Sequence, residues 1–186
     1  MRRGFKTEAR DTANGVREEL GLSPFDPLDP WALAENLGIP IEPLTSFGSL
    51  ASIGVLLGKE QSSFSAVTVL DGPARMIVVN DRHSRGRQAN SVAHEIGHAL
   101  LHHPQTPPFD ERGLRRVKSE LEEEASFLGS ALLITDEMAM HIVRQKIPFE
   151  VAATSLGVSV RLLQMRVNVS GAVKRVERSA RYATRT

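Results

Sequence analysis

The feature that most constrains this chain is the run from Ser91 to His103, which contains His94-Glu95-x-x-His98. On an α-helix, positions four apart lie on one face about one turn apart, so His94 and His98 can present two imidazole nitrogens to one ion. Neutral imidazole suits a borderline cation such as Zn²⁺. Glu95 lies about 100° further round the helix. There its carboxylate can take a proton from water at the metal and pass it to a leaving amine.

The residues around this motif support a helix. Gly97, between the two histidines, is a poor helix former that costs about 1 kcal/mol relative to alanine, so we expect another backbone to approach it closely. The alternative interpretation is a core helix with chance histidines, which would bury polar groups that need partners. Apolar residues recur at helical spacing through the run: Val92, Ala93, Ile96, Ala99 and Leu100.

A third metal ligand is expected, because catalytic zinc sites usually have three protein ligands and one open position. A histidine six residues after His98 is excluded, since that position is Pro104. The next predicted helix offers Glu122, Glu123 and Glu124. Glu124 shares its helical face with apolar residues, and an inward glutamate needs a cation, which favours it as the ligand. Glu123 is the second choice, and Glu122 is expected to point mostly outwards.

The remaining histidines are expected to have lesser roles. His102 lies one turn past His98 and is expected to pack there or to support a ligand. Asn90 and Ser91 are candidate caps of the metal helix. Surface or structural positions are expected for His83, His103 and His141. The sequence does not identify an oxyanion donor; Arg87 and His141 are the options, whereas Tyr182, which lies in the last predicted helix, is not favoured.

The order of elements predicts an α+β chain. Periodicity predicts helices over 6–20 and 31–37 and strands over 51–57, 65–70 and 75–80. The short connection between the last two strands predicts an antiparallel hairpin, and residues 81–87 are expected to form a polar loop. Helices follow over 117–133, 136–145, 148–156, 159–167 and 170–183.

Composition narrows the classes of protein to which the chain can belong. The 186 residues carry a formal net charge of +1 and no cysteine, which excludes disulfides and thiolate ligands. A net charge this close to zero gives the chain no overall electrostatic attraction to nucleic acid or to a membrane surface. No apolar run of about 18 residues occurs, so no membrane span is expected. No apolar signal core follows the basic N-terminus, so we expect a cytoplasmic protein.

The motifs together resemble the ImmA/IrrE family of metallopeptidases. The resemblance covers most of residues 30–166 and is carried by Ile77–Asn80, Ala93–His103 and Glu124–Leu133. It implies a thermolysin-like site with His94, His98 and Glu124 as metal ligands and Glu95 as general base. It also implies a small three-stranded antiparallel sheet packed on the active-site helix, in a peptidase-like domain of residues 1–135. A helical subdomain would follow over residues 136–186.

The same resemblance implies a function. We expect a zinc endopeptidase, with Mn²⁺ or Fe²⁺ as other possible ions, that cleaves a protein partner at one site. The typical partner is a helix-turn-helix transcriptional repressor, in transcription regulation and stress response. Departures from the family pattern are Ser126 in place of Asn or Asp, Gly129 in place of Ala, and Ile134-Thr135 in place of Met-Pro.

Two alternatives to an enzyme are a DNA-binding regulator and a module that sequesters its partner. The first rests on helix-turn-helix spacing around Gly157 and on a basic C-terminal helix. Ordinary helix packing is the preferred explanation of that spacing, so direct nucleic-acid binding is not expected. The intact Glu95 argues against an idle module. The oligomeric state is left open.

Overall fold

The computed structural model describes residues 1–48, 65–71, 74–104 and 119–183. Within these ranges the chain forms eight α-helices, one short 3₁₀ helix (Leu44–Phe47) and three strands. The elements are α1 (Phe5–Glu19), α2 (Pro30–Asn36), β1 (Ile41–Pro43), β2 (Ala66–Asp71), β3 (Ala74–Val79), α3 (Arg85–Leu100), α4 (Ser119–Leu133), α5 (Asp136–Arg144), α6 (Phe149–Ser155), α7 (Val160–Ser170) and α8 (Ala172–Ala183). The predicted α+β class is confirmed.

The sheet is mixed, in the order β1-β3-β2. The predicted hairpin is confirmed, since β2 and β3 pair antiparallel with Thr68 opposite Ile77. The prediction of an all-antiparallel sheet is wrong, because β1 pairs parallel to β3 with Ile41 opposite Ile77. β1 was not among the predicted strands, because three residues that end in Pro43 are too few for a periodic signal. The strand predicted over 51–57 lies outside the described residues.

Helix α3 contains the whole His94-Glu95-x-x-His98 motif and packs against β2, β3 and α4. It begins at Arg85, after Ser84, so it starts earlier than predicted. Ser91 therefore lies inside the helix rather than at its cap, and its hydroxyl donates to the Arg87 carbonyl at 2.9 Å. Hydroxyls bond back to the preceding turn in this way when they stand in a helix interior.

Two glycines let α3 and α4 approach backbone to backbone. A Cβ added to Gly97 would lie 2.7 Å from the Ala125 carbonyl oxygen, and one added to Gly129 would lie 2.6 Å from the Ala93 carbonyl oxygen. Real side chains are not found at such separations from a backbone. The close approach predicted at Gly97 is confirmed. It brings the first turns of α4 beside the histidines of α3.

The C-terminal part is helical, as predicted, and is tied to the rest by a buried ion cluster. The Asp136 carboxylate lies 2.9 Å from Arg10 Nε, 3.0 Å from Arg166 Nη2 and 3.1 Å from Arg175 Nη1. Arg166 is fully buried, and this burial lowers its pKa to about 10. The cluster joins α1, α5, α7 and α8. A division of the chain at residue 135 stays a prediction.

The segment around Gly157 forms a helix-helix corner. Gly157 has a left-handed φ of 65°, which only a residue without Cβ adopts at little cost, and it ends α6 before α7 begins. Ala153 and Leu163 on either side are buried in the core. In the described part of the chain, no single helix is long and apolar enough to span a membrane. Among the described helices, one pair, α4 and α5, meets that criterion together, and the two helices are bent by 57° from each other.

Candidate metal centre

Three side chains from α3 and α4 converge on one point. His94 Nε2 and His98 Nε2 lie 3.1 Å apart. The Glu122 carboxylate places Oε2 3.3 Å from His94 Nε2 and Oε1 3.5 Å from His98 Nε2. In the described residues, no other three histidine or acidic side chains bring their ligand atoms close enough together to hold one metal ion.

The separations of these atoms fit a tetrahedral ion. Nitrogen and oxygen ligands about 2.0–2.1 Å from zinc, at tetrahedral angles, lie about 3.3 Å from one another. The two nitrogens are 3.1 Å apart, and each lies near a different oxygen of Glu122, at 3.3 and 3.5 Å, so each of these contacts is close to that value. Two imidazoles and one carboxylate are a donor set that Zn²⁺, Mn²⁺ and Fe²⁺ all accept. The residues present therefore fit a divalent metal.

Charge and solvent access at the site also suit a cation. Hydrogen bonding to His94 and then to His98 holds the pKa of Glu122 far below its usual range, so this carboxylate is anionic at neutral pH. Its side chain is 46% exposed, whereas the two histidine side chains are about 20% exposed. Solvent can therefore reach the group from the Glu122 side, which leaves room for a water ligand.

The second ring nitrogen of each histidine, Nδ1, also has a hydrogen-bond partner. Ser126 Oγ lies 3.1 Å from His94 Nδ1, and His103 Nδ1 lies 3.0 Å from His98 Nδ1. Partners at Nδ1 fix the orientation and tautomer of a histidine that binds metal through Nε2. Ser126, which stands where the family pattern has Asn or Asp, thus supplies a hydrogen-bond partner for His94.

Glu95 lies beside the group on α3, and its carboxylate is held by the sheet. The Thr68 hydroxyl on β2 donates to Glu95 Oε2 at 2.6 Å. A short hydroxyl–carboxylate bond of this kind is charge-assisted and restricts the rotamer of the acid. The hydrogen bond between Thr68 and Glu95 was not foreseen, because it joins residues 27 positions apart.

Glu124 does not join the histidine pair, which is where the structure differs most from the sequence-based assignment. Glu124 is 4% exposed and accepts from the Arg2 backbone N–H at 3.1 Å. Its other oxygen, Oε2, lies 3.7 Å from His103 Nε2. Its predicted inward orientation is confirmed, but its neighbours are Arg2 and His103. Glu123, the second choice, contacts the Met1 amine at 2.9 Å.

Glu122 was expected to point outwards, but its carboxylate lies beside His94 and His98. The reason is position on the helix: residue 122 stands one turn before Ser126, on the edge of α4 that faces His94. Residue 124 is about 200° away from 122 around the same helix. The sequence pattern alone does not show which of these two faces of α4 is turned towards His94.

Apart from His103, the other candidate residues are not part of the candidate metal centre. His102 and His141 are exposed, and His141 packs edge-on against Phe25 with ring centroids 5.6 Å apart. Burial lowers the pKa of His83 and also that of His103. Arg87 donates to Ser65 Oγ at 3.1 Å. The Tyr182 side chain lies outside the described part.

Comparison with known families gives one match. The sequence model of the Peptidase_M78 family, described as the IrrE N-terminal-like domain, matches residues 50–168. No curated protein gives a significant match to the chain. The matched range is almost two thirds of the chain and contains α3, α4 and every residue of the candidate metal centre. The chain therefore belongs to the IrrE N-terminal-like family of metallopeptidases.

Proposed function

We propose that the chain is a zinc-dependent endopeptidase whose ligands are His94, His98 and Glu122. The observation that carries this proposal is the convergence of His94 Nε2, His98 Nε2 and the Glu122 carboxylate within 3.5 Å of one another. Membership of a metallopeptidase family supports it. Mn²⁺ or Fe²⁺ would be accepted by the same donors.

When bound, the ion supplies a Lewis acid that lowers the pKa of water and polarises a peptide carbonyl. The protein supplies the proton transfers. Glu95 Oε2 is occupied by the Thr68 hydroxyl, so we assign the transfer to Oε1. This oxygen takes a proton from the attacking water and delivers it to the nitrogen of the leaving amine. Thr68 keeps the carboxylate in one orientation during both transfers.

The substrate that we propose is a helix-turn-helix transcriptional repressor, cleaved at one site in the cytoplasm. This step rests on the resemblance of the residues to the ImmA/IrrE family. Such cleavage would make the chain a regulator of transcription under stress.

The test is Glu95→Gln, which keeps the size of the side chain and removes its ability to take a proton. Zinc-loaded wild type and variant are incubated with protein extract from the source organism, and new N-termini are sequenced by mass spectrometry. We expect a repressor fragment with the wild type, at least a 100-fold slower release with the variant, and equal zinc content in both. Wild-type cleavage by Glu95→Gln would refute the mechanism.

A further inference from the structure

We propose that His103 is a positioning residue for the metal site. It accepts a hydrogen bond from the Nδ1–H of His98 and thereby holds the Nε2 lone pair of His98 on the ion. Glu124, behind His103, fixes which nitrogen of His103 carries its proton. The inference rests on the proposed function, since it assigns the support of one of the three metal ligands.

The first step concerns the tautomer of His98. Its Nε2 lies in the ligand group, 3.1 Å from His94 Nε2. A neutral imidazole that offers Nε2 to a cation carries its proton on Nδ1, and that N–H needs an acceptor. His103 Nδ1 lies 3.0 Å away, within the range of a direct hydrogen bond.

The second step concerns the tautomer of His103. For its Nδ1 to accept, the proton of His103 must lie on Nε2. Glu124 Oε2 is 3.7 Å from that Nε2, in surroundings where the His103 and Glu124 side chains are only 7% and 5% exposed. The separation is too long for a direct hydrogen bond, but a carboxylate at this distance favours the proton on the nitrogen that faces it.

The third step is the backbone that places His103 there. After α3 ends, His102 adopts a left-handed φ of 50°. The His103 N–H then donates to the His98 carbonyl at 3.0 Å, and the His102 N–H donates to the Ala99 carbonyl at 3.1 Å. This is a Schellman-type helix end. It folds the chain back so that residue 103 lies beside His98.

Glu124 is itself held in place. Its Oε1 accepts from the Arg2 backbone N–H at 3.1 Å, and Arg2 Nε lies 3.6 Å from the same oxygen. Arg2 thus partly balances the buried carboxylate without competing for Oε2. The resulting order is Arg2, Glu124, His103, His98 and then the metal. Glu124, which the sequence analysis assigned as a metal ligand, therefore influences the metal only indirectly, through the imidazoles of His103 and His98.

The test compares zinc affinity, measured by competition with a chromogenic chelator, in three variants. His103→Ala removes the acceptor, and we expect its zinc dissociation constant to rise 10–100-fold. His103→Asn offers an amide oxygen near the position of Nδ1, and we expect a rise of less than about threefold. His102→Asn, the neighbouring control, replaces an exposed residue by one that tolerates left-handed φ, and we expect no change.

A second readout does not depend on a variant that folds. In the zinc-loaded wild type labelled with ¹⁵N-histidine, NMR should show a slowly exchanging proton on His98 Nδ1 with scalar coupling to His103 Nδ1. Wild-type affinity in His103→Ala, or a proton on His103 Nδ1, would overturn the positioning role alone. A wild type that binds no zinc would overturn the proposed function as well, so the two failures are distinguishable.

Discussion

At the scale of single residues, Glu122 and Glu124 show how position on one helix decides what a carboxylate does. Glu122 lies at the solvent edge of the histidine pair, where hydrogen bonds keep its pKa low and it remains an anion. Glu124 is 4% exposed and lies against Arg2 and His103. The environment of Glu122 suits a metal ligand, because the carboxylate is anionic and water can reach it.

This pair also marks the limit of what the sequence could predict at the site. His94, Glu95 and His98 could be proposed as site residues because their spacing is local and the helix alone sets their geometry. The burial of Glu124 was found for the same reason. The choice between Glu122 and Glu124 depends on how α4 is rotated against α3, which is set by tertiary packing at Gly97 and Gly129. The roles of Thr68 and His103 depend on long-range or turn geometry.

At the scale of elements, the contact between α3 and α4 sets the distance between the two histidines and Glu122, the proposed ligands. In Gly129→Ala, the new Cβ would meet the Ala93 carbonyl oxygen at 2.6 Å and the backbone nitrogen of His94 at 2.9 Å. Because neither atom belongs to a flexible side chain, the helices must separate. We expect a loss of about 1–3 kcal/mol in the free energy of unfolding of the metal-free protein, measured with urea. Zinc affinity should fall too, because α4 carries Glu122.

The matched control is Gly15→Ala in α1. Nothing lies within 4 Å of a Cβ at this helical position. Alanine should therefore raise the free energy of unfolding by up to about 1 kcal/mol and leave zinc affinity unchanged. A Gly129→Ala protein as stable as the wild type would show that the helices are not held together at this point.

At the scale of the whole molecule, Asp136 joins the N-terminal helix to the C-terminal helices. Replacing it by asparagine leaves Arg166 fully buried without its anion. Loss of one partner of a buried pair typically costs about 3–5 kcal/mol, and we expect Asp136→Asn to lie in that range in urea unfolding. Glu137→Gln, one position along and partly exposed, should cost less than about 1 kcal/mol. Equal costs for the two variants would exclude a special role for the cluster.

The whole-molecule arrangement was predictable only in part. The helices and the β2–β3 hairpin follow local periodicity and turn chemistry, and the structure confirms them. The parallel β1–β3 pairing joins residues 36 positions apart in sequence, Ile41 and Ile77. Local pattern carries no information on such a pairing. The Asp136 cluster likewise gathers residues from four helices that no periodicity connects.

The most direct measurement is the zinc content of the wild type, Glu122→Gln and Glu124→Gln, each passed over a chelating resin and analysed by mass spectrometry of the metal. We expect one zinc per chain in the wild type, near-stoichiometric zinc in Glu124→Gln, and a loss of zinc in Glu122→Gln from an affinity at least about 100-fold weaker. Circular dichroism verifies that all three are folded. Zinc retained by Glu122→Gln and lost from Glu124→Gln would contradict the site described above and return the third ligand to Glu124.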